Sequence, residues 1–125
     1  MSRIDEARAL LESLNSRVSD FKNLAIARTN GLIIATLNKS VGQDQNIEKL
    51  LGAMGSALFS IAKRAADKLL NGKFQSLNIE IDKGNIFIVY TGKVILIALT
   101  RIEPNLGLIS LEIEDAADKL NEIFS

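Results

Sequence analysis

The chain of 125 residues contains no cysteine and no histidine. Their absence excludes a thiolate nucleophile, an imidazole general base, a disulfide framework and the usual zinc ligands. A serine such as Ser56 or Ser60 has no imidazole anywhere in the chain to activate it as a nucleophile. The sequence therefore predicts a protein that is not an enzyme, with no catalytic residues, no cofactor and no metal ion.

An excess of charge of one sign is also missing, because 15 basic side chains are matched by 15 acidic ones. A chain without net charge has no overall basic field to attract nucleic acid or an anionic membrane surface. The single tyrosine and the five phenylalanines are too few to suggest a surface for stacking nucleic acid bases. We therefore expect no nucleic acid partner.

Proline occurs once, while hydrophobic residues make up 47% of the chain and charged residues 24%. These proportions are typical of globular proteins rather than disordered ones. A chain of this length can form one domain with its own core, so we expect a single domain over residues 1–125. The stretch from Met1 to Arg8 contains acids and no apolar run of the signal-peptide type, which predicts a cytoplasmic protein.

The centre of the predicted fold is a pair of apolar runs, Ile86 to Tyr90 and Val94 to Thr100, joined through Gly92. Branched and aromatic residues in runs of strand length around a glycine predict an antiparallel hairpin. Neither run alternates apolar with polar residues, so both faces of the hairpin should be covered. A membrane span would need roughly 20 residues without a charge, and Lys93 lies in the middle, so we expect no membrane insertion.

Two elements precede the long central helix. Ser2 and Asp5 have the spacing of a capping box, which predicts a first amphipathic helix that ends near Arg17. Strand-like runs at 23–29 and 32–37 are joined through Asn30 and Gly31, a pair that is typical of a type I′ turn. The polar stretch 38–46, which contains Gly42, predicts a flexible loop of possible functional use, with Asp44 or Asn46 as the cap of the next helix.

The second half of the chain supplies a long helix at 47–71, with Gly72 as the left-handed residue after its end. Strict alternation at 75–82 predicts a strand with one wet face, which is expected at the edge of a sheet. A last helix begins near Asn105. The order of elements is therefore helix, two strands, helix, three strands, helix. It predicts an α/β fold in which a five-stranded antiparallel sheet has a helix layer on each face.

The long helix carries two apolar bands, and the wider of them is expected to lie on the sheet. Its members share one helical stripe: Ile47, Leu50, Leu51, Met54, Leu58, Ile61, Ala65 and Leu69. The narrower flank holds Gly52, Gly55, Phe59, Ala66 and Leu70. Two glycines inside a helix each cost roughly 1 kcal/mol relative to alanine, so another backbone should approach them closely. That backbone could belong to a second subunit or to a loop of the same chain.

Two further patterns could carry chemistry but favour a structural interpretation. The Gly-Lys pairs at Gly72 and Gly92 lack the upstream glycine of a phosphate-binding loop. Acidic residues that could hold a metal ion or act as an acid and base pair cluster on the last helix: Glu112, Glu114, Asp115 and Asp118. Their positions favour an acidic surface in solvent.

Three segments together resemble the roadblock family, which includes dynein light chains and MglB-type regulators. They are the hairpin tip Thr29-Asn30-Gly31-Leu32-Ile33, the long helix from Ile47 with its small residues, and Pro104 to Ile109 at the start of the last helix. The resemblance covers nearly the whole chain. It implies a profilin-like three-layer α/β/α fold that forms a homodimer through the edge strand and the long helix.

The resemblance also implies a function. Roadblock proteins are non-enzymatic partners of Ras-like small GTPases, as activators or as platforms for signalling, and elsewhere are light chains. We therefore expect a regulator or scaffold that binds a Ras-like GTPase, with a structural adaptor or light chain as the alternative. A small-molecule sensor with an internal pocket is a third class, and an enzyme is the least favoured.

The residues of two expected contact sites follow from these assignments. The dimer interface should be formed by the helix flank and the edge strand, through Gly52, Gly55, Phe59, Ala66, Leu77, Ile79 and Ile81. The partner should bind the remaining solvent face of the long helix, at Lys49, Ser56, Ser60 and Lys63. Leu108 and Leu111, which fall off the apolar stripe of the last helix, form a competing docking surface.

Overall fold

A computed structural model describes residues 1–38 and 45–125. The elements follow one another in the predicted order: α1 (Arg3–Arg17), β1 (Phe21–Arg28), β2 (Ile33–Asn38), α2 (Gln45–Leu70), β3 (Ser76–Ile81), β4 (Gly84–Tyr90), β5 (Val94–Thr100) and α3 (Leu106–Ile123). The sheet has five antiparallel strands, so the predicted fold class is confirmed.

The strands lie in the order β2-β1-β5-β4-β3, which places β5 at the centre and β3 at one edge. Every residue of β5 except Leu99 is buried, because β1 and β4 flank it and helices lie on both sides. The prediction that the alternating strand forms an edge is confirmed. Its outer side faces no other strand of the described chain.

Side chains of β4 alternate between the two cores. Phe87 and Val89 pack with α1 and α3 on one side of the sheet, while Ile86, Ile88 and Tyr90 pack with α2 on the other. This arrangement follows from strand geometry, since successive residues of a strand point to opposite faces. The fold is therefore a sheet between a pair of helices and the single long helix α2.

The capping box of α1 is present. The Asp5 amide donates to Ser2 Oγ at 3.1 Å, and the Ser2 amide donates to Asp5 Oδ2 at 3.4 Å. The buried residues of α1 are Ala7, Leu11 and Leu14, which face the sheet and α3. The helix ends at Arg17, as predicted.

The turn between β1 and β2 differs from the predicted type I′. The Gly31 amide donates to the Arg28 carbonyl at 2.9 Å, and only Gly31 has a positive φ, of 97°. A type I′ turn requires positive φ at both central residues, whereas a three-residue connection needs one left-handed residue at its end. The loop over 29–31 is of the second kind, so the type I′ prediction is wrong.

Both ends of α2 also require correction. The left-handed residue after the helix is Asn71, with φ 49°, and not Gly72, whose amide donates to the Ala66 carbonyl at 3.0 Å. The Asn71 amide donates to the Asp67 carbonyl at 3.0 Å. This is the five-to-one bond of an αL motif, which accepts asparagine at the left-handed position. At the other end Asn46 lies inside the helix and is not its cap. Asn38 ends β2 and α2 starts at Gln45, while residues 39–44 of the predicted loop, with Gly42 and the alternative cap Asp44, lie outside the described residues.

Asp20 joins the start of β1 to the connection between β5 and α3. Its buried carboxylate accepts from Arg101 Nε at 2.9 Å and from the Asn105 amide at 2.8 Å, while its carbonyl accepts from the Arg101 amide at 2.8 Å. Asn105 in turn caps α3 by accepting from the Leu108 amide at 3.2 Å. A single carboxylate therefore fixes the start of α3 against the sheet.

Replacing Asp20 with alanine should lower the free energy of unfolding by about 2 kcal/mol, because hydrogen bonds to a charged group contribute about 1.5–3 kcal/mol. Urea unfolding followed by circular dichroism measures this loss. The control is Asp115→Ala, which removes surface ion pairs with Arg17 and Lys119 and should cost less than about 1 kcal/mol. Equal losses in the two variants would contradict the role given to Asp20.

Candidate functional site: the three faces of the long helix

The face of α2 that lies on the sheet is formed by its glycines. A Cβ built on Gly52 would lie 2.3 Å from the Gly31 carbonyl oxygen, and one on Gly55 would lie 2.5 Å from Ile97 Cδ1. Phe59, one turn further along, is 5% exposed. The helix therefore crosses the sheet from the β1–β2 turn towards β4, so closely that a Cβ at Gly52 would meet backbone and one at Gly55 would meet the end of a side chain.

This geometry corrects the predicted dimer interface at three positions. Gly52, Gly55 and Phe59 are buried inside the chain, so their assignment to a flank that meets a second subunit is wrong. Ala66 is half-buried. The inferred close approach of a backbone is real at Gly52, but that backbone is the chain's own turn between β1 and β2.

The wider apolar band of α2, which was expected on the sheet, points largely into solvent. We call its exposed part the apolar stripe: Ile47, Leu50, Met54, Ile61 and Leu69. The exposed fractions of Leu50, Met54 and Ile61 are 58%, 52% and 66%. Leu51 and Leu58 alone among the large members of the band are half-buried. Contiguous exposed apolar surface of this kind marks interaction sites.

The edge strand β3 offers apolar side chains on the same side of the sheet as α2. Leu77 packs against the core beneath α2, and the alternation of a strand places Ile79 and Ile81 on that side too. Leu77 and Ile79 are half-buried and Ile81 is exposed. The three residues predicted on this strand therefore lie together on the side of the sheet that α2 covers.

A third face of α2 is polar and contains the predicted partner-binding residues. Lys49, Ser60 and Lys63 are exposed on it. Ser56 is different, because its hydroxyl donates to the Thr29 carbonyl at 2.6 Å and so ties the helix to the β1–β2 turn. We call this surface the polar flank. It lies on a different side of the helix from the apolar stripe.

The competing surface lies on the opposite layer of the molecule. Leu108 and Leu111 on α3 are 38% and 65% exposed. They are thus available to a partner, as the sequence predicts. The helical spacing that places Ile109 and Ile113 in the core leaves these two leucines outside it.

Two of the four acidic residues of the α3 cluster, Glu112 and Asp115, form surface ion pairs. Glu112 and Asp115 lie 3.5 and 3.7 Å from Arg17, and Asp115 lies 3.0 Å from Lys119. Within residues 1–38 and 45–125, no group of three acidic side chains could hold a metal ion. In the same part of the chain, no helix is both long and apolar enough to cross a membrane.

Comparison with known proteins now identifies the family. Residues 8–100 match the profile of the Roadblock/LC7 domain. The chain belongs to the Roadblock/LC7 family. An uncharacterized protein of Methanocaldococcus jannaschii is 37% identical over 118 residues, which cover 94% of this chain and 97% of that relative. The family resemblance that the sequence predicts is therefore confirmed.

Solved structures agree with this Roadblock/LC7 assignment at the level of the fold. Myxococcus xanthus MglB superimposes with a TM-score of 0.86 at 20% identity, over 97% of this chain and 89% of that one. Profilin IA of Acanthamoeba castellanii gives a TM-score of 0.61 at 15% identity, over 91% of this chain and 98% of that one. The fold is profilin-like, as predicted.

The exposed apolar residues that the sequence placed on the sheet are those of the apolar stripe. Leu50, Met54 and Ile61 have the spacing of a buried helix face, and that pattern alone does not say what buries them. The signal that could have identified them is the pair of glycines on the other side of the helix. Glycines pack most closely, so the face that carries them was the better candidate for the sheet.

Proposed function

We propose that this Roadblock/LC7 protein is a homodimeric, non-catalytic regulator or scaffold that binds a Ras-like small GTPase in the cytoplasm. The observation that carries the proposal is the exposed apolar stripe of α2 together with the edge strand β3, whose outer side pairs with no strand of the described residues, in a chain of this family. A monomer would leave both surfaces in water. A second copy of the chain covers both at once.

The dimer is proposed to pair β3 with its own copy in antiparallel orientation, across a two-fold axis. The exposed backbone groups of an edge strand are satisfied by such pairing. On the α2 side of the sheet, Ile79 and Ile81 then meet their copies, and the apolar stripes of the two α2 helices face each other. The stripe replaces Gly52, Gly55 and Phe59 as the helical part of the interface.

The GTPase is proposed to bind the polar flank, which the dimer leaves exposed. Lys49 and Lys63 lie on it without an ion pair to any described residue. Two copies near a two-fold axis form one wide surface of positive charge, which steers an acidic segment of a partner. Ser60 is the hydroxyl in reach of a partner on this surface, since Ser56 is used within the chain.

The test titrates the protein into Ras-like GTPases encoded in the same genome, each loaded with GTP, and measures affinity and single-turnover hydrolysis. Charge reversal at Lys49 and Lys63 should weaken binding about tenfold and reduce its dependence on salt, because exposed charge contacts contribute about 0.2–1 kcal/mol each. The matched variant Leu108→Ser with Leu111→Ser should bind as the unchanged chain does.

Other outcomes would change the proposal in defined ways. Binding that survives in the lysine variant and is lost in the leucine variant would move the site to α3. A GTPase that binds with an unchanged rate of hydrolysis would favour a platform over an activator. A protein that is dimeric but binds none of these GTPases would be an adaptor or light chain instead.

A further inference from the structure

A cleft of about 610 Å³ lies between the polar flank of α2 and the end of the sheet. It is formed where β1 and β4 end and where the chain enters β3 after α2. Its lining includes the aromatic rings of Phe59, Phe74 and Tyr90 and the basic side chains of Lys63, Arg64 and Lys73. Its volume is in the range of about 300–1,000 Å³ that is typical of sites for small molecules.

Three aromatic rings form the apolar part of the cleft. The rings of Phe59 and Phe74 are 5.8 Å apart in an edge-on arrangement, and those of Phe59 and Tyr90 are 5.0 Å apart. The Tyr90 hydroxyl donates to the Gly92 carbonyl at 2.8 Å, which fixes its ring. Phe74 and Tyr90 are only half-buried. The cleft therefore offers preformed aromatic surface that the chain itself does not cover.

Positive charge surrounds these rings. Lys63, Arg64 and Lys73 line the cleft, while Asp67 is its one acidic residue. None of the three cations forms an ion pair with a described residue. Lys63 Nζ lies 6.0 Å from the centre of the Phe59 ring, within reach of a cation–π contact. The cleft thus combines a net positive charge with an aromatic wall.

We propose that this cleft binds a small anion that carries a flat aromatic ring. The aromatic ring of the ligand would stack on Phe74 and Tyr90. The anionic group of the ligand would form ion pairs with Arg64 and Lys73. Nucleotides and aromatic carboxylates share this chemistry. The inference requires neither the dimer nor a GTPase, because every residue of the cleft belongs to one chain.

A second cleft in the same molecule serves as an internal control for this proposal. This second cleft, of about 530 Å³, lies on the other side of the sheet, between α3 and β3. Its charged residues are Glu114 and Asp118, and Phe87 and Val89 form its apolar part. The two clefts are similar in size but opposite in charge. An aromatic anion should therefore bind more tightly to the cleft beside α2 than to the cleft beside α3.

The first experiment uses 8-anilinonaphthalene-1-sulfonate, an aromatic anion, and N-phenyl-1-naphthylamine, which has nearly the same rings without the charge. Fluorescence titration measures both affinities in the unchanged chain and in Arg64→Glu with Lys73→Glu. The anion should bind about tenfold more weakly to the variant, since two charge contacts are lost. The neutral probe should be unaffected. Lys68→Glu with Lys93→Glu, which changes the same charge outside the cleft, should leave both affinities unchanged.

The second experiment locates binding and separates the two sources of ligand. Amide NMR shifts are followed during titration with AMP and, separately, with indole-3-acetate. Shifts at Thr29, Gly72 and Phe74, which line the α2 cleft and not the α3 cleft, would support the site with either compound, and the compound that produces them identifies the ligand class. Shifts confined to the apolar stripe or to the α3 cleft would overturn the proposal. So would sulfonate binding that is equal in the cleft variant and its control.

Discussion

A variant with Met54→Glu and Ile61→Glu is expected to sediment as a monomer at micromolar concentration, whereas the unchanged chain is expected to sediment as the proposed dimer. Both residues belong to the apolar stripe and are more than half exposed in the single chain. In a two-fold dimer each substitution acts twice, so four large apolar side chains lose their contacts. Burial of one such side chain contributes about 1.5–3 kcal/mol. Half of the sum, about 3–6 kcal/mol, weakens the dimer by a factor between about a hundred and about ten thousand.

The control places the same two charges on the polar flank. Ala53→Glu with Ser60→Glu introduces two glutamates at exposed positions of the same helix, on the side away from the stripe. This variant should remain dimeric. Circular dichroism should show both variants folded, because neither pair of side chains contributes to the core. A chain that is monomeric without any substitution would exclude the proposed dimer. Dissociation of the control alone would move the interface to the flank.

Gly52→Ala is expected to lower the free energy of unfolding by about 3 kcal/mol, although alanine is the better helix former. On an exposed helix face the same change would raise it by roughly 1 kcal/mol. At Gly52 the change in the free energy of unfolding has the opposite sign, because the new Cβ would lie 2.3 Å from the Gly31 carbonyl oxygen. That atom belongs to the backbone of the β1–β2 turn, which cannot move aside by changing a rotamer. Chemical unfolding measures the difference.

Gly55→Ala provides the comparison within the same helix. Its new Cβ would meet Ile97 Cδ1 at 2.5 Å, and that atom is the end of a flexible side chain. The loss of stability should therefore be smaller than at Gly52. A stabilised Gly52→Ala protein would mean that α2 does not lie on the sheet through its glycines. The assignment of the sheet-facing side, the apolar stripe and the polar flank of α2 would then have to be changed.

The contrast between β4 and α2 explains how far the sequence could predict the site. For β4, both faces are apolar and both are buried, so alternation alone assigned Phe87 to one core and Ile88 to the other. For α2, either of two apolar bands could pack on the sheet. The larger side chains of the wider band led to the prediction that it does so, whereas the band with the glycines lies on the sheet. Hydrophobicity says that a face is buried, but it does not distinguish burial in the core from burial by a second copy.

The edge strand and the polar flank were predicted more successfully for a related reason. A single alternating run marks β3 as an edge strand, and the acids and amides of its wet face are read directly from the sequence. Lys49 and Lys63 were placed in solvent because charges are rarely buried. Ser56 was not placed correctly, since a serine can be exposed or can bond to a nearby carbonyl, and only the position of Thr29 decides between them.

The sequence by itself determined the order of elements, the α/β class, the capping box of α1 and the exposure of β3 at an edge. Each of these depends on local periodicity, on spacing within a few residues or on the rarity of buried charge. Only the tertiary structure decided which face of α2 lies on the sheet, and it alone brought Phe74 and Lys73 beside Phe59 and Tyr90. Those outcomes depend on how closely two backbones approach, which is a property of elements distant in the chain.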